Sequence, residues 1–177
     1  VIGSQGFVVY GGIISGIATV YVYCRIKKKN FFEYIDVIAA AVAINQAFGR
    51  IGCFLAGCCY GRETDSWVGV VFPQGCMAPA GVKLIPTQLF SAAFDIGMFV
   101  VLCILINSRK YIKGIPTSVY LIGYAVGRAI IECFRSDERG SVGMLSTSQF
   151  ISIFICIAGI ILLCFILNNN KKRMNND

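Results

Sequence analysis

Five stretches of about 20 mostly apolar residues dominate this sequence and limit the folds that it can adopt. A transmembrane helix needs about 20 such residues, because each residue adds about 1.5 Å and the hydrocarbon core is about 30 Å thick. None of the stretches alternates with the period of two that a membrane strand shows. The sequence predicts an all-α polytopic membrane helix bundle, one integral domain over residues 1–177. The predicted helices are 6–24, 34–55, 88–107, 115–134 and 148–167.

The composition agrees with a membrane protein. Of the 177 residues, 56% are hydrophobic and 14% are charged, whereas soluble domains average about 45–50% and about 25%. The formal net charge is +7. The positions of the basic residues follow membrane topology, so we predict no nucleic-acid partner.

Basic residues cluster after three of the five stretches. Residues 25–29 contain four, residues 109–113 contain three and residues 171–173 contain three, which places ten of the 16 on one side of a five-span bundle. The positive-inside rule makes that side cytoplasmic. We therefore predict an outside N-terminus, a cytoplasmic C-terminus and a polar basic cytoplasmic tail at 168–177.

Ionisable residues within the apolar stretches are the first candidates for a functional site. Arg50 lies in the second stretch, and Arg128, Glu132 and Arg135 have the i, i+4, i+7 spacing of one helical face. A charge at the bilayer centre costs about 2.5–3.5 kcal/mol on insertion scales, so such groups face the bundle interior or a wet cavity. One interpretation is a structural pair, either Arg50–Glu132 or Arg128–Glu132. The other is a cationic pocket at outer-leaflet depth, where arginines bind a lipid phosphate.

Four cysteines, Cys53, Cys58, Cys59 and Cys76, lie at the end of the second stretch and in the loop after it. Their C-x4-C-C spacing matches no common zinc pattern, and we expect adjacent Cys58 and Cys59 to point apart. Packing, a disulfide in an oxidising exterior, and catalysis or metal binding remain open. The sequence has no histidine, which is the commonest metal ligand. We predict no metal site and no cofactor.

Two longer segments combine these ionisable residues with glycines. The segment GRIGCFLAGCCYGR, which begins at residue 49, resembles the pattern G-R-x-G-N-F-x-N-x-E-x-x-G. Its matching positions are Gly49, Arg50, Gly52, Phe54 and Gly61. The segment LIGYAVGRAIIECFRSDE, which begins at residue 121, resembles G-Y-x-x-x-R-x-x-x-E-x-x-R-x-P-D. Its matching positions are Gly123, Tyr124, Arg128, Glu132 and Arg135. Both patterns are signatures of the prolipoprotein diacylglyceryl transferase family, which this sequence resembles.

Two shorter segments extend the resemblance over nearly the whole chain, in the family's order. VYGGIISG resembles the family's H-G-G segment, with Tyr10 in place of the histidine, followed by Gly11 and Gly12. IPTQLF resembles H-P-S-Q-L-Y-E and matches at Pro86, Gln88 and Leu89.

The resemblance implies an enzyme that moves the diacylglyceryl group of phosphatidylglycerol to the lipobox cysteine thiol of a prolipoprotein. It implies a multi-pass protein of a bacterial cytoplasmic membrane with its site facing the outer leaflet. The implied partners are phosphatidylglycerol, the prolipoprotein signal peptide and membrane lipids. The implied catalytic residues are Arg50, Arg128, Glu132 and Tyr10. The implied substrate-binding residues are Arg50, Arg128, Arg135, Gly11, Gly12, Gly49, Gly52, Gly61 and Gln88.

Departures from the family's patterns leave a second function open, that of a non-catalytic membrane lipid-binding paralogue. The replaced positions are Tyr10 and Ile85 for histidines, Cys53 and Ala56 for asparagines, and Cys58 and Ser91 for glutamates. A small transporter is a third interpretation, although the sequence shows no inverted repeat of the kind that such folds often contain.

Overall fold

The computed structural model describes the backbone of residues 4–134, 141–142 and 145–174, and the side chains of residues 11–134 and 149–172. Five helices form most of the described chain, which confirms the all-α prediction. They are α1 (Ser4–Ile26), α2 (Phe31–Leu55), α3 (Thr87–Asn107), α4 (Ile115–Cys133) and α5 (Thr147–Met174). Each helix corresponds to one predicted stretch, and α5 continues through the polar segment that follows the fifth stretch.

Three segments are long and apolar enough to cross a membrane. They are Phe31–Leu55, Thr87–Asn107 and Gln149–Lys172. Helix α1 contributes a shorter apolar segment, Gly11–Ile26, within the residues whose side chains are described. These lengths and compositions fit a membrane protein.

A row of small residues on α2 allows α3 and α4 to pack closely against it. Ala39, Ala40, Ala43 and Ala47 are buried and recur at helical spacing. Leu102 of α3 is fully buried against Ala40 and Ala43. Small residues at such contacts permit close helix approach and more van der Waals contact, which is the main packing force between membrane helices.

The buried carboxylate of Asp36 joins α2 to the start of α4. It accepts hydrogen bonds from the backbone N–H groups of Gly114 and Thr117 at 2.7 and 2.9 Å, and from the hydroxyls of Tyr111 and Thr117 at 2.7 and 2.5 Å. Gly114 is the N-cap of α4 and has no capping side chain of its own. Asp36 therefore caps α4 from another helix, where a negative charge is favourable.

The long loop between α2 and α3 forms a small packed unit at the opposite end of the bundle. Strand β1 (Val70–Val71) pairs antiparallel with β2 (Lys83–Leu84) above a small core of Phe72, Ala78 and Leu84. A second antiparallel pair, β3 (Ser141–Val142) with β4 (Leu145–Ser146), precedes α5. This end of the bundle holds the candidate site.

Hydrogen bonds hold that loop to the ends of the helices. The Gly61 N–H donates to the Ile85 carbonyl at 2.9 Å, and the Arg62 N–H donates to the Phe134 carbonyl at 3.1 Å. A Cβ on Gly61 would lie 2.8 Å from the Phe134 carbonyl oxygen, so only glycine fits here.

Candidate active site

Helices α2, α3 and α4 enclose a small polar cavity. Its volume is about 20 Å³, which is enough for about one water molecule. Its lining residues are Gln46 and Arg50 from α2, Ser91, Phe94 and Asp95 from α3, and Tyr124, Gly127, Arg128 and Ile131 from α4. The two longer family-like segments of the sequence thus meet in one place.

Each of the two arginines has a carboxylate near it. Asp95 is 9% exposed and lies close enough to Arg50 for their charges to interact. Arg128 Nη2 lies 3.2 Å from Glu132 Oε2. The sequence left two structural ion pairs open, Arg50–Glu132 and Arg128–Glu132, and the structure contains the second. The sequence alone indicated a cationic pocket. Within the part of the chain whose side chains are described, Arg50, Arg128, Asp95 and Glu132 are formally neutral together.

Polar and aromatic side chains continue the cavity wall towards the middle of the bundle. The Tyr120 hydroxyl donates to Gln46 Oε1 at 2.8 Å. The Tyr120 and Tyr124 rings stack with centroids 6.0 Å apart. These contacts fix Tyr124 and Gln46 where they line the cavity, so part of the wall is held in place before any ligand binds.

An apolar groove of about 520 Å³ adjoins the cavity. Phe94, Gly127 and Ile131 line both spaces. The other groove residues are Thr64, Ser66, Val68, Ile85, Phe90, Ile130 and Phe134. A cavity lined by ionisable side chains beside an apolar groove matches a molecule with a polar head and hydrocarbon chains.

Gly127 allows the boundary between cavity and groove to form. A Cβ at this position would lie 2.6 Å from Cζ of the Phe94 ring. The ring can therefore lie against the α4 backbone only because residue 127 has no side chain.

The residues that the sequence indicated are placed at several points of the bundle. Arg50 and Arg128 both line the cavity, and Glu132 pairs with Arg128 beside it. Gln88 is buried, and its Nε2 donates to the Cys58 carbonyl at 2.6 Å, whereas the cavity lining does not include it. Gly61 lies in the packed turn described above.

The remaining indicated residues lie apart from the cavity or outside the described part of the chain. Among the residues that the structure describes, nothing lies within 4 Å of a Cβ added at Gly11, Gly12, Gly49 or Gly52. The backbone of Tyr10 belongs to α1, but its side chain is outside the described side chains, and Arg135 is outside the described residues. Their substrate roles stay predictions.

Sequence reasoning missed Asp95 as a site residue. The available signal was an acidic residue inside an otherwise apolar stretch, one helical turn after Ser91. Nothing in the order of residues shows that α3 brings Asp95 against Arg50 of α2, so the pairing emerges only from the packing of the helices.

Three cysteines converge at the end of α2. The Sγ atoms of Cys53, Cys58 and Cys59 all lie within 4.8 Å of one another. The expectation that adjacent Cys58 and Cys59 point apart is wrong, because Cys59 adopts a left-handed backbone with φ of 61°. Burial, together with hydrogen bonding to Cys53 and the charge of neighbouring thiols, raises the pKa of Cys58 to about 11. Cys58 is therefore a neutral thiol near pH 7.

A known family matches nearly the whole chain. The profile described as prolipoprotein diacylglyceryl transferase matches residues 1–165. The chain belongs to this family. The match confirms the resemblance that the four segments indicated, and it includes every residue that lines the cavity.

Named relatives in this family are bacterial proteins. Phosphatidylglycerol–prolipoprotein diacylglyceryl transferase 2 of Clostridium perfringens (strain 13 / Type A) is 52% identical over 170 residues, which is 96% of this chain and 65% of that protein. The transferase of Clostridium tetani (strain Massachusetts / E88) is 47% identical over 96% of this chain and 66% of its own length. The transferase of Clostridioides difficile (strain 630) is 34% identical over 97% of this chain and 66% of its own length. The chain thus spans 65–66% of the length of these relatives.

Proposed function

We propose that this family member transfers the diacylglyceryl group of phosphatidylglycerol to the lipobox cysteine thiol of a prolipoprotein. The observation that carries this proposal is the meeting of Arg50 and Arg128 at a polar cavity that shares three lining residues with an apolar groove. The names of the relatives give phosphatidylglycerol and prolipoprotein as their substrates.

The proposed topology is a multi-pass bacterial plasma-membrane protein with its N-terminus outside and its C-terminus in the cytoplasm. One contact and one distance along α2 support this arrangement. Lys113 forms an ion pair with Glu33 at 3.0 Å. The basic cluster at 109–113 therefore lies beside the start of α2, close to the basic cluster at 25–29 that precedes this helix. Arg50 is 14 residues further along α2 than Asp36, or about 21 Å at 1.5 Å per residue. The cavity then lies towards the outer leaflet.

The lipid phosphate binds at the mouth of the cavity, because the cavity itself holds only about one water molecule. A guanidinium has five N–H donors. Arg128 can therefore keep its contact with Glu132 and still donate to a phosphate. Arg50 can likewise stay near Asp95 and donate to the same phosphate. The acyl chains lie in the apolar groove, next to Phe94 and Ile131.

The reaction forms a C–S bond between the substrate thiol and the diacylglyceryl carbon, and it breaks the bond from that carbon to the phosphate oxygen. Glycerol phosphate leaves, and its phosphate gains a second negative charge. Preorganised donors stabilise charge that develops in a transition state, which is the role proposed for Arg50 and Arg128. Glu132 orients Arg128.

The substrate thiol, whose ordinary pKa is about 8.5, must lose its proton to attack. Asp95 is the carboxylate that lines the described cavity, so we assign the proton to it. Tyr10 remains a proposed catalytic residue and Arg135 a proposed lipid ligand on their family positions. The open space beside Gly11, Gly12, Gly49 and Gly52 leaves room for the lipid.

A second candidate is a paralogue that binds lipid without transferring it. One observation favours it: two carboxylates already accompany the two arginines at the cavity, and the chain has no histidine. This candidate predicts binding of phosphatidylglycerol to Arg50 and Arg128 without a thioether product.

Complementation separates the two candidates. The full-length protein is expressed in a bacterium depleted of its own diacylglyceryl transferase, and growth and lipoprotein modification are measured. An active transferase restores both, whereas a lipid-binding paralogue restores neither although it is present in the membrane. Arg50→Ala serves as the inactive control, which should insert into the membrane and fail to complement.

A further inference from the structure

We infer that Cys53, Cys58 and Cys59 form a binding site for a thiophilic d10 metal ion, Cu(I) or Zn²⁺. The three side chains are half-buried at the end of α2 and in the loop after it. Metal binding here is independent of transferase activity, because the cavity at Arg50 does not include these thiols.

The spacing of the sulfur atoms fits a single ion. All three Sγ atoms lie within 4.8 Å of one another. With metal–sulfur bonds of about 2.3 Å, tetrahedral or trigonal geometry requires sulfur–sulfur separations of about 3.8–4.0 Å. A contraction of about 1 Å is within the reach of side-chain rotation, so no rearrangement of the backbone is needed.

The backbone that carries the thiols is held in place by α3. Thr87 Oγ1 donates to the Cys59 carbonyl at 2.9 Å, and Gln88 Nε2 donates to the Cys58 carbonyl at 2.6 Å. The Cys58 N–H donates to the Cys53 carbonyl at 3.0 Å. A buried glutamine and a buried threonine thus fix the loop in the conformation that brings adjacent cysteines together.

The backbone of Cys59 is a second indication of a built site. Its φ of 61° lies in the left-handed region, which an L-residue other than glycine, asparagine or aspartate adopts at a cost. Such outliers persist where the surrounding structure determines them, and they concentrate at functional sites. Here the outlier turns the Cys59 sulfur towards Cys53 and Cys58.

The donor set determines the class of metal. Thiolate ligands select soft ions such as Cu(I) and Zn²⁺ over Mg²⁺, Ca²⁺ or Mn²⁺. Three sulfurs complete a trigonal Cu(I) site. For Zn²⁺ they leave a fourth position for water, as in sites that keep an open coordination position. The displaced thiol protons pass to solvent.

The test measures metal bound to the full-length protein, purified in detergent under reducing conditions. Samples are dialysed against Zn²⁺ alone or Cu(I) alone, and bound metal is counted by mass spectrometry. We expect one bound metal ion per protein chain in the Zn²⁺ sample or in the Cu(I) sample. Cys53→Ser and Cys59→Ser should each weaken binding by at least about tenfold, whereas Cys103→Ser on α3 should bind as the wild type does.

A second measurement needs no variant and so does not depend on variant folding. Bound metal should protect residues 53, 58 and 59 of the wild-type protein from alkylation and leave Cys133, which is exposed at the end of α4, reactive. The inference is overturned if neither ion binds, if the Cys53→Ser/Cys59→Ser double variant keeps the metal, or if the three thiols are alkylated equally with and without metal. Recovery of these residues as disulfides from freshly prepared membranes would also overturn it.

Discussion

Arg128 and Glu132 form an ion pair of 3.2 Å across one turn of α4, with side chains that are only 11% and 10% exposed. Leaving one member of a buried pair without its partner is strongly destabilising, by about 3–5 kcal/mol. The pair therefore holds the Arg128 guanidinium oriented at the edge of the cavity.

Glu132→Gln should reduce both stability and transfer. The amide keeps the shape of the side chain but removes the charge, which leaves a buried guanidinium uncompensated. We expect a lower thermal unfolding temperature in detergent and at least a tenfold lower transfer rate, about 1.4 kcal/mol in barrier. Glu132→Asp keeps the charge and should recover part of both. An unchanged unfolding temperature for Glu132→Gln would show that the pair has no structural role.

Gly127→Ala should disturb the boundary between the cavity and the groove. The added methyl would lie against the Phe94 ring, so the ring must move into one of the two spaces. Such overpacking costs about 1–3 kcal/mol. We expect a raised KM for phosphatidylglycerol in the transfer assay. Gly97→Ala on α3, where a Cβ meets open space, is the matched control and should behave as the wild type does.

Asp36→Asn should destabilise the bundle at the end away from the cavity. The carboxylate accepts four hydrogen bonds, and an amide replaces one accepting oxygen with a donor. Each hydrogen bond to a charged group contributes about 1.5–3 kcal/mol, so we expect a loss of at least that size by denaturant or thermal unfolding. Asn45→Ala, at an exposed position on the same helix, should change stability by less than about 0.5 kcal/mol. Equal stability of the two variants would contradict the capping role of Asp36.

The contact between Tyr111 and Asp36 predicts a loss of stability at high pH. Burial, and then the neighbouring Asp36 carboxylate, raise the pKa of Tyr111 above its ordinary value of 10.0. The folded state then holds the phenol proton more tightly than the unfolded state does. The stability from this group is complete below about pH 10 and falls as the pH rises above that value. Unfolding temperatures measured from pH 8 to pH 11 should show this fall in the wild type and a smaller one in Tyr111→Phe, and parallel curves would refute it.

The helices could be predicted from the sequence because each coincides with an apolar stretch, and three of them are long and apolar enough to cross a membrane. The arginines could be predicted as well, since a charge such as Arg50 in an apolar stretch must face a cavity or a partner. The partner could not be predicted. Asp95 meets Arg50 only because alanines on α2 let α3 approach closely. The distance between these two helices cannot be read from the sequence.

The cysteine cluster shows the same limit at short range. The spacing of Cys53, Cys58 and Cys59 argued against a common site, because adjacent side chains normally point apart. A single left-handed residue, Cys59, reverses that expectation. Its conformation depends on Thr87 and Gln88, which lie 28 and 30 residues further along the chain than the cysteines they contact.

The most direct test of the central claim is diacylglyceryl transfer by Arg50→Lys. Lysine keeps the positive charge but loses the planar fork that contacts a phosphate in a bidentate way. Purified full-length protein is mixed with labelled phosphatidylglycerol and a lipobox peptide, and the thioether product is measured by mass spectrometry. Arg62→Lys, at an exposed position at the same end of the bundle, is the control. We predict wild-type transfer for Arg62→Lys and a rate about 10²–10³ lower for Arg50→Lys. Equal rates for the two variants, or no thioether from folded wild-type protein, would contradict the account.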